Sequence, residues 1–367
     1  MDYKQDKRTI LSLDAGGTNF DFFAVKGGIL IGDKFRYPAA VDTLDEMLNM
    51  IIKGFEQVKE QSGEKASAIS FCFPGPADFI KGIIGDLENL PLFRGGVPLK
   101  AMLEEHFGIP VFINNDGDLF TYGEAIAGLL PEVNEALKNA GSTRKYNNLL
   151  GVTFGTGFGG GIVRHGELFT GDNSAGAEIN RMRNKLYPQT SAEDSVTIRA
   201  IKRVYAREAG LPMNEIPEPE MIYKIGMGED QGKGEAARKA FSELAEVAGN
   251  SIADAVTLTD GLVVIGGGLA GAWPLFLQQL VDEMNWSYKE ISGNELPRME
   301  ILAYNLRNED CFKDFIKDTS VPVKVPFSDK TVDYDPVKKV AVGISRLGTS
   351  RAVAVGAYAF ALNELSN

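Results

Sequence analysis

The first forty residues alternate short apolar runs with polar or glycine-containing turns. Apolar runs occupy residues 10–13, 20–25 and 29–31, and Lys26-Gly27-Gly28 separates the last two. Such runs predict an antiparallel meander that begins a sheet. In residues 44–58 the apolar side chains instead recur at spacings of three and four. A capping box of Thr43 and Glu46 marks the start of this pattern. This pattern predicts an amphipathic helix that ends near Gly63.

Strand and helix patterns then alternate along the chain. An apolar run at 68–73 precedes a helical pattern at 99–107, which stops at Gly108, and a second apolar run at 111–113. A helical pattern at 235–257 leads into the apolar run 262–265, and an Ala-rich pattern at 350–363 closes the chain. Alternating helices and strands predict an α/β protein whose sheets are flanked by helices.

Length and internal pattern indicate two domains. The second half begins with a pattern similar to that at the start of the chain: an apolar run at 149–154, a glycine turn, and short apolar runs at 161–163 and 168–169. In addition, a chain of 367 residues exceeds the size at which a single hydrophobic core keeps growing. We predict a smaller domain from residues 1–118 and 347–367, closed by the C-terminal helix, and a larger domain from residues 119–346. Residues 293–338 contain prolines and charges without a period, so we interpret them as an insertion or surface excursion.

Composition excludes several functional classes. The formal net charge is −12, whereas nucleic-acid binding requires clustered Lys and Arg. The two cysteines, Cys72 and Cys311, give no disulfide framework, and Cys72 is expected to pack in a strand as a small hydrophobe. No apolar run reaches about 18 residues and residues 1–8 are polar. We therefore expect a cytoplasmic protein with neither a nucleic-acid nor a membrane partner.

Three glycine-rich stretches each follow an apolar, β-prone run. They are Asp14-Ala15-Gly16-Gly17-Thr18, the stretch that begins Gly155-Thr156-Gly157, and Gly266-Gly267-Gly268. Glycine lets backbone N–H groups converge on an anion that a side chain would hold away. Each stretch alone is equally compatible with an ordinary turn. Together they predict a nucleotide cradle and make phosphoryl transfer the leading hypothesis.

Phosphoryl transfer also requires a metal ion and a proton acceptor. Asp14 directly follows a strand pattern, so its carboxylate could contact Mg²⁺ through water; alternatively, it only caps a turn. Asp116, in Asn114-Asn115-Asp116-Gly117, follows the apolar run at 111–113 and is the best candidate for the general base. The same four residues are also a typical turn sequence. Asp118 is the competing carboxylate, placed second because it suits a helix start.

These motifs occur in an order and spacing that resembles the ROK family of sugar kinases and sugar-responsive repressors, within the actin-like, hexokinase-like ATPase superfamily. The resemblance spans nearly the whole chain and also rests on the following motifs: Phe73-Pro74-Gly75-Pro76-Ala77-Asp78, Asn89-Leu90-Pro91, Val97-Pro98-Leu99, Gly166-Glu167-Leu168 with Gly171, and Ala175-Gly176-Ala177-Glu178. It implies a two-domain actin-like ATPase fold, related to ribonuclease H, with a mixed sheet flanked by helices in each domain.

The resemblance also assigns roles to residues. It implies that Asp116 is the catalytic base and that Asn115 and Glu178 bind sugar hydroxyls. It further implies that the Pro74-Gly75 turn lines the sugar pocket and that Asn89 is among the substrate-binding residues. In the same way it implies that the phosphate motifs hold ATP, with Gly266-Gly267-Gly268 on the adenosine side.

One segment departs from the family pattern. Many members carry a His three positions after the Glu and then a cysteine-rich zinc loop, but here Arg181 replaces that His and no cysteine lies between Glu178 and Glu193. We therefore expect no zinc site. Glu193 resembles the acidic residue that follows the zinc loop and contacts the sugar. Arg181 either reaches the substrate with its donor fork or braces Glu178 or Glu193; we favour bracing.

The sequence thus predicts an ATP- and Mg²⁺-dependent kinase that phosphorylates a hydroxyl of a sugar, with a glucose-like hexose favoured. An N-acylhexosamine kinase and a non-catalytic sugar-sensing regulator are the alternatives. Repressors of the family carry a winged helix-turn-helix before the first phosphate motif, whereas thirteen residues precede Asp14, so we expect no DNA-binding domain. We also consider a homodimer, in which a second copy of the chain is the partner.

Overall fold

The computed structural model describes residues 3–16, 18–73, 77–85 and 91–366. Their contacts divide the chain into two compact units. Unit 1 comprises Met1–Ala127, Glu167–Gly176 and Leu347–Asn367, and unit 2 comprises Gly128–Gly166 and Ala177–Arg346.

In chain order the strands are β1 (Thr9–Ala15), β2 (Asn19–Lys26), β3 (Ile29–Pro38), β4 (Ala66–Cys72), β5 (Ala77–Asp78), β6 (Ile83–Ile84), β7 (Val97–Pro98), β8 (Val111–Asn114), β9 (Leu149–Phe154), β10 (Phe158–Arg164), β11 (Glu167–Leu168), β12 (Leu262–Gly266), β13 (Ser287–Lys289), β14 (Glu295–Pro297), β15 (Leu302–Asn305), β16 (Val321–Lys324), β17 (Thr331–Tyr334) and β18 (Lys339–Ile344). The α-helices are α1 (Leu44–Ser62), α2 (Leu99–Phe107), α3 (Asp116–Ala127), α4 (Leu129–Asn139), α5 (Ile198–Ala209), α6 (Pro219–Met227), α7 (Gly234–Thr259), α8 (Trp273–Met284), α9 (Glu309–Ile316) and α10 (Thr349–Glu364).

Unit 1 is built on a five-stranded mixed sheet in the order β3-β2-β1-β4-β8. The predicted meander is confirmed, because β1, β2 and β3 pair antiparallel in sequence order. Strands β4 and β8 join on the other side of β1 in parallel. Parallel strands need helical crossovers, and α1 and α2 lie between them in sequence.

The alternation within β1 explains how helices cover both faces of this sheet. Leu11 belongs to a buried cluster that contains Phe55 of α1, whereas its neighbour Ile10 packs in a cluster with Tyr358 of α10. Successive side chains in a strand point to opposite faces. Helix α1 has the predicted capping box and ends at Gly63 with φ 60°, so this local prediction is confirmed.

Helices α3 and α10 approach each other closely within unit 1. A Cβ atom built on Gly123 would lie 1.9 Å from the Ala352 carbonyl oxygen, and one on Gly356 would lie 2.0 Å from the Leu119 carbonyl oxygen. Helix α3 packs against α10 in this way, and residues 119–127 group with unit 1, whereas we predicted that they belong to the larger domain, residues 119–346. Residues Glu167–Gly176 also group with unit 1.

Unit 2 contains the strand series β10-β9-β12-β18-β15. Strands β9, β12, β18 and β15 are parallel neighbours, while β10 returns antiparallel to β9 across a glycine turn. The core is one large cluster in which the long helix α7 buries residues along most of its length. Because β9 and β12 are parallel neighbours, the turns that follow them lie at the same edge of the sheet.

Part of residues 293–338, which we interpreted as an insertion or surface excursion, belongs to the sheet and core of unit 2. Strand β15 pairs in parallel with β18 in the main sheet, and Phe315 of α9 is buried. Only Ala303 and Asn305 of the four-residue strand are buried, which is too short a pattern to show a period. No helix in the described part of the chain is long and apolar enough to cross a membrane.

Candidate active site

Two acidic residues of unit 1, Asp14 and Asp116, lie at or next to the carboxyl ends of the parallel strands β1, β4 and β8. Asp14 lies beside Cys72 in the β1–β4 pairing, and Cys72 lies beside Asn114 in the β4–β8 pairing. Asp116 begins α3 two residues after Asn114. Since the carboxyl ends of parallel strands meet at one edge of a sheet, the two aspartates predicted from separate motifs lie at the same edge. Cys72 is buried as a small hydrophobe, as predicted.

Asp14 is half-buried and electrostatically unfavourable as a lone carboxylate. Burial raises its pKa, and the negative charges of Asp21 and Asp116 raise it further, partly offset by Lys34. A divalent cation would relieve this repulsion, so the donor set fits Mg²⁺. Mg²⁺ keeps much of its hydration when it binds to proteins, so a single carboxylate could contact it through water. Within the described residues no group of three or more His, Cys, Asp or Glu side chains is arranged for a metal.

The first glycine motif is shaped by its own backbone. The Gly16 amide donates to the Asn19 carbonyl oxygen at 3.0 Å, and a Cβ on Gly16 would also lie 3.0 Å from that oxygen. The Gly16 N–H therefore closes the turn. Thr18 is exposed, and its hydroxyl accepts from Asn19 Nδ2 at 3.2 Å.

Asp116 combines accessibility with a poorly hydrated carboxyl group. Its side chain is exposed at the start of α3, yet surrounding protein removes hydration and raises the pKa of the carboxyl, while a hydrogen bond from Gly117 N–H lowers it. That N–H is 2.8 Å from Asp116 Oδ1 and 2.8 Å from Asn115 Oδ1. The competing Asp118 is only 6 % exposed, which disfavours it as a proton acceptor for a substrate.

In unit 2 the second and third glycine stretches lie next to each other. Gly266 lies beside Thr153 in the β9–β12 pairing, and Leu269 N–H donates to the Phe154 carbonyl oxygen at 2.9 Å. A Cβ on Gly155 would lie 3.9 Å from Gly268 N. The two stretches thus form one glycine-lined edge, as expected for parts of one nucleotide cradle.

The glycines of this edge have different reasons for lacking a side chain. Gly267 has φ 88°, and its Cβ would lie 2.3 Å from the Phe154 carbonyl oxygen. Gly268 has no such constraint, since a Cβ there would meet nothing within 4 Å. Gly267 is therefore required by the fold, whereas Gly268 and the exposed Thr156 leave open space of the kind a nucleotide needs.

Glu193 supports the second glycine stretch. Its Oε2 accepts from Phe158 N–H at 3.2 Å, and a Cβ on Gly157 would lie 3.2 Å from the same oxygen. Arg199 lies 3.9 Å from Oε1. The carboxylate that the resemblance assigns to sugar binding therefore also holds the turn after β9, a role that sequence reasoning missed.

Glu178 precedes a short 3-10 turn that ends with Arg181, and both residues are exposed. The Arg181 backbone N–H donates to the Glu178 carbonyl oxygen at 3.0 Å. Within the described residues no ion pair joins the Arg181 guanidinium to Glu178 or Glu193, and Glu193 lies instead beside Arg199. The described contacts therefore give no support to the bracing role that we favoured, Arg181 is exposed, and its role stays a prediction.

Two features beside these residues carried no recognisable sequence signal. A Cβ on Gly160 would lie 2.4 Å from the Ala177 carbonyl oxygen, and Ala177 itself has φ 61°; together they position the segment that carries Glu178. In unit 1, the Nδ2 of buried Asn114 has no hydrogen-bond partner in the part of the chain that the structure describes. The predicted site residues Gly17, Pro74, Gly75 and Asn89 lie outside the described residues.

Unit 1 has carboxylates at the ends of parallel strands and unit 2 has two adjacent glycine turns, and comparison with known proteins identifies the family of this α/β protein. Residues 10–309 match the model of the ROK family, and the chain belongs to this family. Its fold is the actin-like ATPase fold of ROK sugar kinases.

The most informative relatives are sugar kinases. A crystal structure of a glucokinase from Parabacteroides distasonis is 50% identical, covers 99% of both chains and superposes with a TM-score of 0.91. Glucokinase from Thermotoga maritima is 29% identical over 48% of this chain, and the alignment spans about half, 51%, of that protein. N-acetyl-D-glucosamine kinase from Shigella flexneri is 25% identical over 78% of this chain and 92% of its own.

A further solved structure shares the fold. It is a ROK family glucokinase from Streptomyces griseus in complex with glucose and AMPPNP, with 19% identity, a TM-score of 0.57, and 95% and 98% of the two chains covered. At this identity the likeness concerns the fold alone.

Proposed function

We propose that the protein transfers the terminal phosphoryl group of ATP to a hydroxyl of a glucose-like hexose, with Asp116 as general base. The class, an ATP-dependent carbohydrate kinase, follows from the family and its relatives. The observation that carries the specific proposal is the accessible Asp116 at the strand edge, with a raised pKa and Asp14 as its neighbour. Perturbed carboxylates of this kind mark functional sites.

In the proposed reaction the sugar hydroxyl attacks the terminal phosphorus. The new O–P bond forms as the bond to ADP breaks, and the hydroxyl proton passes to Asp116. A raised pKa suits this role, because it makes the carboxylate a better proton acceptor than an ordinary one. Mg²⁺, held near Asp14 through water, would offset charge on the phosphates. Gly16, Gly17, Thr18 and the glycine stretches of unit 2 are proposed to bind the nucleotide.

The proposed sugar contacts use the groups that the fold leaves available. Asn115 Oδ1 already accepts from Gly117 N–H, so the Asn115 Nδ2 group is the one offered to a sugar hydroxyl. Glu178 is exposed. In Glu193, Oε2 accepts a hydrogen bond from Phe158 N–H in the glycine turn, so Oε1 is the oxygen proposed to contact the sugar. Pro74, Gly75 and Asn89 complete the proposed pocket. A carboxylate left unpaired by the wrong epimer costs about 1–3 kcal/mol, which gives selectivity.

A glucose-like substrate is favoured because the relative that is 50% identical over almost the whole chain is named a glucokinase. An N-acylhexosamine kinase is the second candidate, supported by the relative from Shigella flexneri. A sugar-sensing regulator without catalysis is disfavoured, because it has no use for an accessible carboxylate with a raised pKa.

The proposal is tested by ADP release over a panel of glucose, mannose, N-acetylglucosamine and N-acetylmannosamine. We expect the highest kcat/KM with glucose or mannose. A higher value with an acetylated sugar would establish the second candidate. Sugar binding by calorimetry without ADP release from any sugar would indicate the regulator.

The role of Asp116 is tested by Asp116→Asn, which preserves shape but removes the proton acceptor. We expect kcat to fall about 10²-fold or more, with sugar affinity nearly unchanged. Asp45→Asn is the matched control, because Asp45 is an exposed carboxylate in the first turn of α1. Near-normal turnover of Asp116→Asn would contradict the assignment and point to Asp118.

A further inference from the structure

One asparagine of unit 2 is completely buried and uses every hydrogen-bonding site of its side-chain amide. Asn184 Nδ2 donates to the Ser191 carbonyl oxygen at 3.2 Å and to Ser195 Oγ at 2.8 Å. Its Oδ1 accepts from the backbone N–H groups of Leu186 at 3.0 Å and Tyr187 at 3.1 Å. An asparagine amide has two donors and one oxygen with two lone pairs. The side chain is therefore saturated by contacts within its own segment of the chain.

The two groups that Nδ2 holds stand on either side of Glu193. Ser191 precedes Glu193 by two residues, and Ser195 follows it by two. A short 3-10 turn spans Ala192–Asp194 between them. Because one amide group is bonded to both ends of this turn, it fixes the backbone from which the Glu193 side chain extends.

The backbone of the segment closes around the same asparagine. Asn184 N–H donates to the Thr190 carbonyl oxygen at 3.1 Å, and Ala192 N–H donates to the Met182 carbonyl oxygen at 2.7 Å. Residues 182–192 thus form a closed loop with the buried amide in its interior.

The outer side of this loop is attached to helix α7. Lys185 Nζ lies 3.1 Å from Glu246 Oε1, and both side chains are about one-third exposed. The Tyr187 hydroxyl donates to Glu243 Oε2 at 3.1 Å. Partly exposed ion pairs contribute little individually, whereas hydrogen bonds of a buried amide are shielded from water. The shape of the loop therefore depends mainly on Asn184.

We propose that Asn184 is a positioning residue that holds the Glu193 carboxylate in place. Glu193 Oε2 accepts from Phe158 N–H at 3.2 Å, and a hydrogen bond of this kind requires a defined direction of the side chain. The consequence for the reaction rests on the proposed function, in which Oε1 of the same carboxylate contacts the sugar. Misplacing a substrate-positioning group by about 1 Å costs about 10²-fold, so an amide that acts only through Glu193 decides how well the sugar is used.

The first test is amide hydrogen exchange at Phe158 in the whole chain, which needs no activity. With Asn184→Ala we expect this N–H to exchange at least about 10-fold faster, since its acceptor is no longer held. Asn305→Ala is the matched control, because Asn305 is also buried in unit 2 and its amide bonds to Gln278 and to Arg307 N–H. The control should lower the melting temperature and leave exchange at Phe158 unchanged.

The second test links the amide to Glu193 in the ADP-release assay. Asn184→Ala should lower kcat/KM for the sugar at least about 10-fold, mostly through the sugar KM, because Glu193 is proposed to bind the sugar before the reaction. In a protein that already carries Glu193→Ala, the same change should lower it by less than about 2-fold further, because residues that act through one group have non-additive effects. Equal effects in the two backgrounds would show that Asn184 only supports the fold, and would overturn the inference.

A milder variant keeps the inference testable if Asn184→Ala does not fold. Ser195→Ala removes one acceptor of Nδ2 and leaves the bond to the Ser191 carbonyl oxygen, so we expect smaller changes in the same direction. Unchanged exchange at Phe158 in both variants would also overturn the inference. Faster exchange with unchanged sugar kinetics would confirm the positioning of Glu193 and refute its proposed sugar contact, so the two failures are distinguishable.

Discussion

Replacing Gly267 with alanine tests whether the adjacency of the two glycine stretches in unit 2 is imposed by the fold. Gly267 follows β12 and has φ 88°. The added Cβ would lie 2.3, 2.6 and 2.7 Å from the carbonyl oxygen, nitrogen and carbonyl carbon of Phe154. All three are backbone atoms at the end of β9, so neither partner can move away by changing a rotamer.

The expected cost has two parts. Positive φ costs an L-residue about 1–2 kcal/mol, and overpacking against a fixed neighbour costs about 1–3 kcal/mol. We expect Gly267→Ala to destabilise unit 2 by about 2–5 kcal/mol. For a domain of roughly 150–250 residues, each kcal/mol lowers Tm by about 2–4 °C, so Tm should fall by at least about 4 °C.

Two neighbouring glycines provide controls in a thermal melt and a coupled ADP assay. Gly268→Ala meets no atom within 4 Å and should leave Tm unchanged or slightly raised, while raising the KM for ATP if the nucleotide occupies the open space. Gly271→Ala is also sterically free and should change neither quantity. A Tm for Gly267→Ala within about 1 °C of wild type would refute the reasoning.

Four further predictions concern the proposed site. Because the surrounding protein removes hydration and raises the pKa of Asp116, kcat/KM should fall with decreasing pH through an apparent pKa above the ordinary value near 3.9, as a pH–rate profile would show; an inflection at or below that value would contradict it. The folded state then binds more protons than the unfolded state, so Asp116 lowers stability as pH rises through that window. Asp116→Asn should therefore melt higher than wild type at pH 7, and a lower melting temperature would count against the raised pKa. Since Arg181 is exposed and unpaired with the site carboxylates, Arg181→Ala should leave Tm nearly unchanged. It should raise the sugar KM about 10-fold and reorder sugar preference, whereas a loss of Tm with equal effects on all sugars would support the bracing role. Elemental analysis should find no stoichiometric zinc, and chelation should stop activity only until Mg²⁺ is restored; one tightly bound zinc per chain would contradict this.

Local patterns determined the elements with strong short-range signals. Helix α1 has the predicted capping box and glycine end, and α2 spans the predicted Leu99–Phe107. Such signals act within about one helical turn, so the residues that decide them are neighbours in the sequence. The motif order also indicated the family and the acidic residues Asp14 and Asp116 as site candidates.

The tertiary structure alone decided which distant residues meet. The side-by-side position of Gly155 and Gly268 depends on the pairing of β9 with β12, strands more than a hundred residues apart. The contact of Glu193 with Phe158 N–H and the packing of Gly123 against α10 arise in the same way. No periodicity encodes these contacts, because pairing and packing depend on which surfaces the whole chain buries together rather than on the preferences of neighbouring residues.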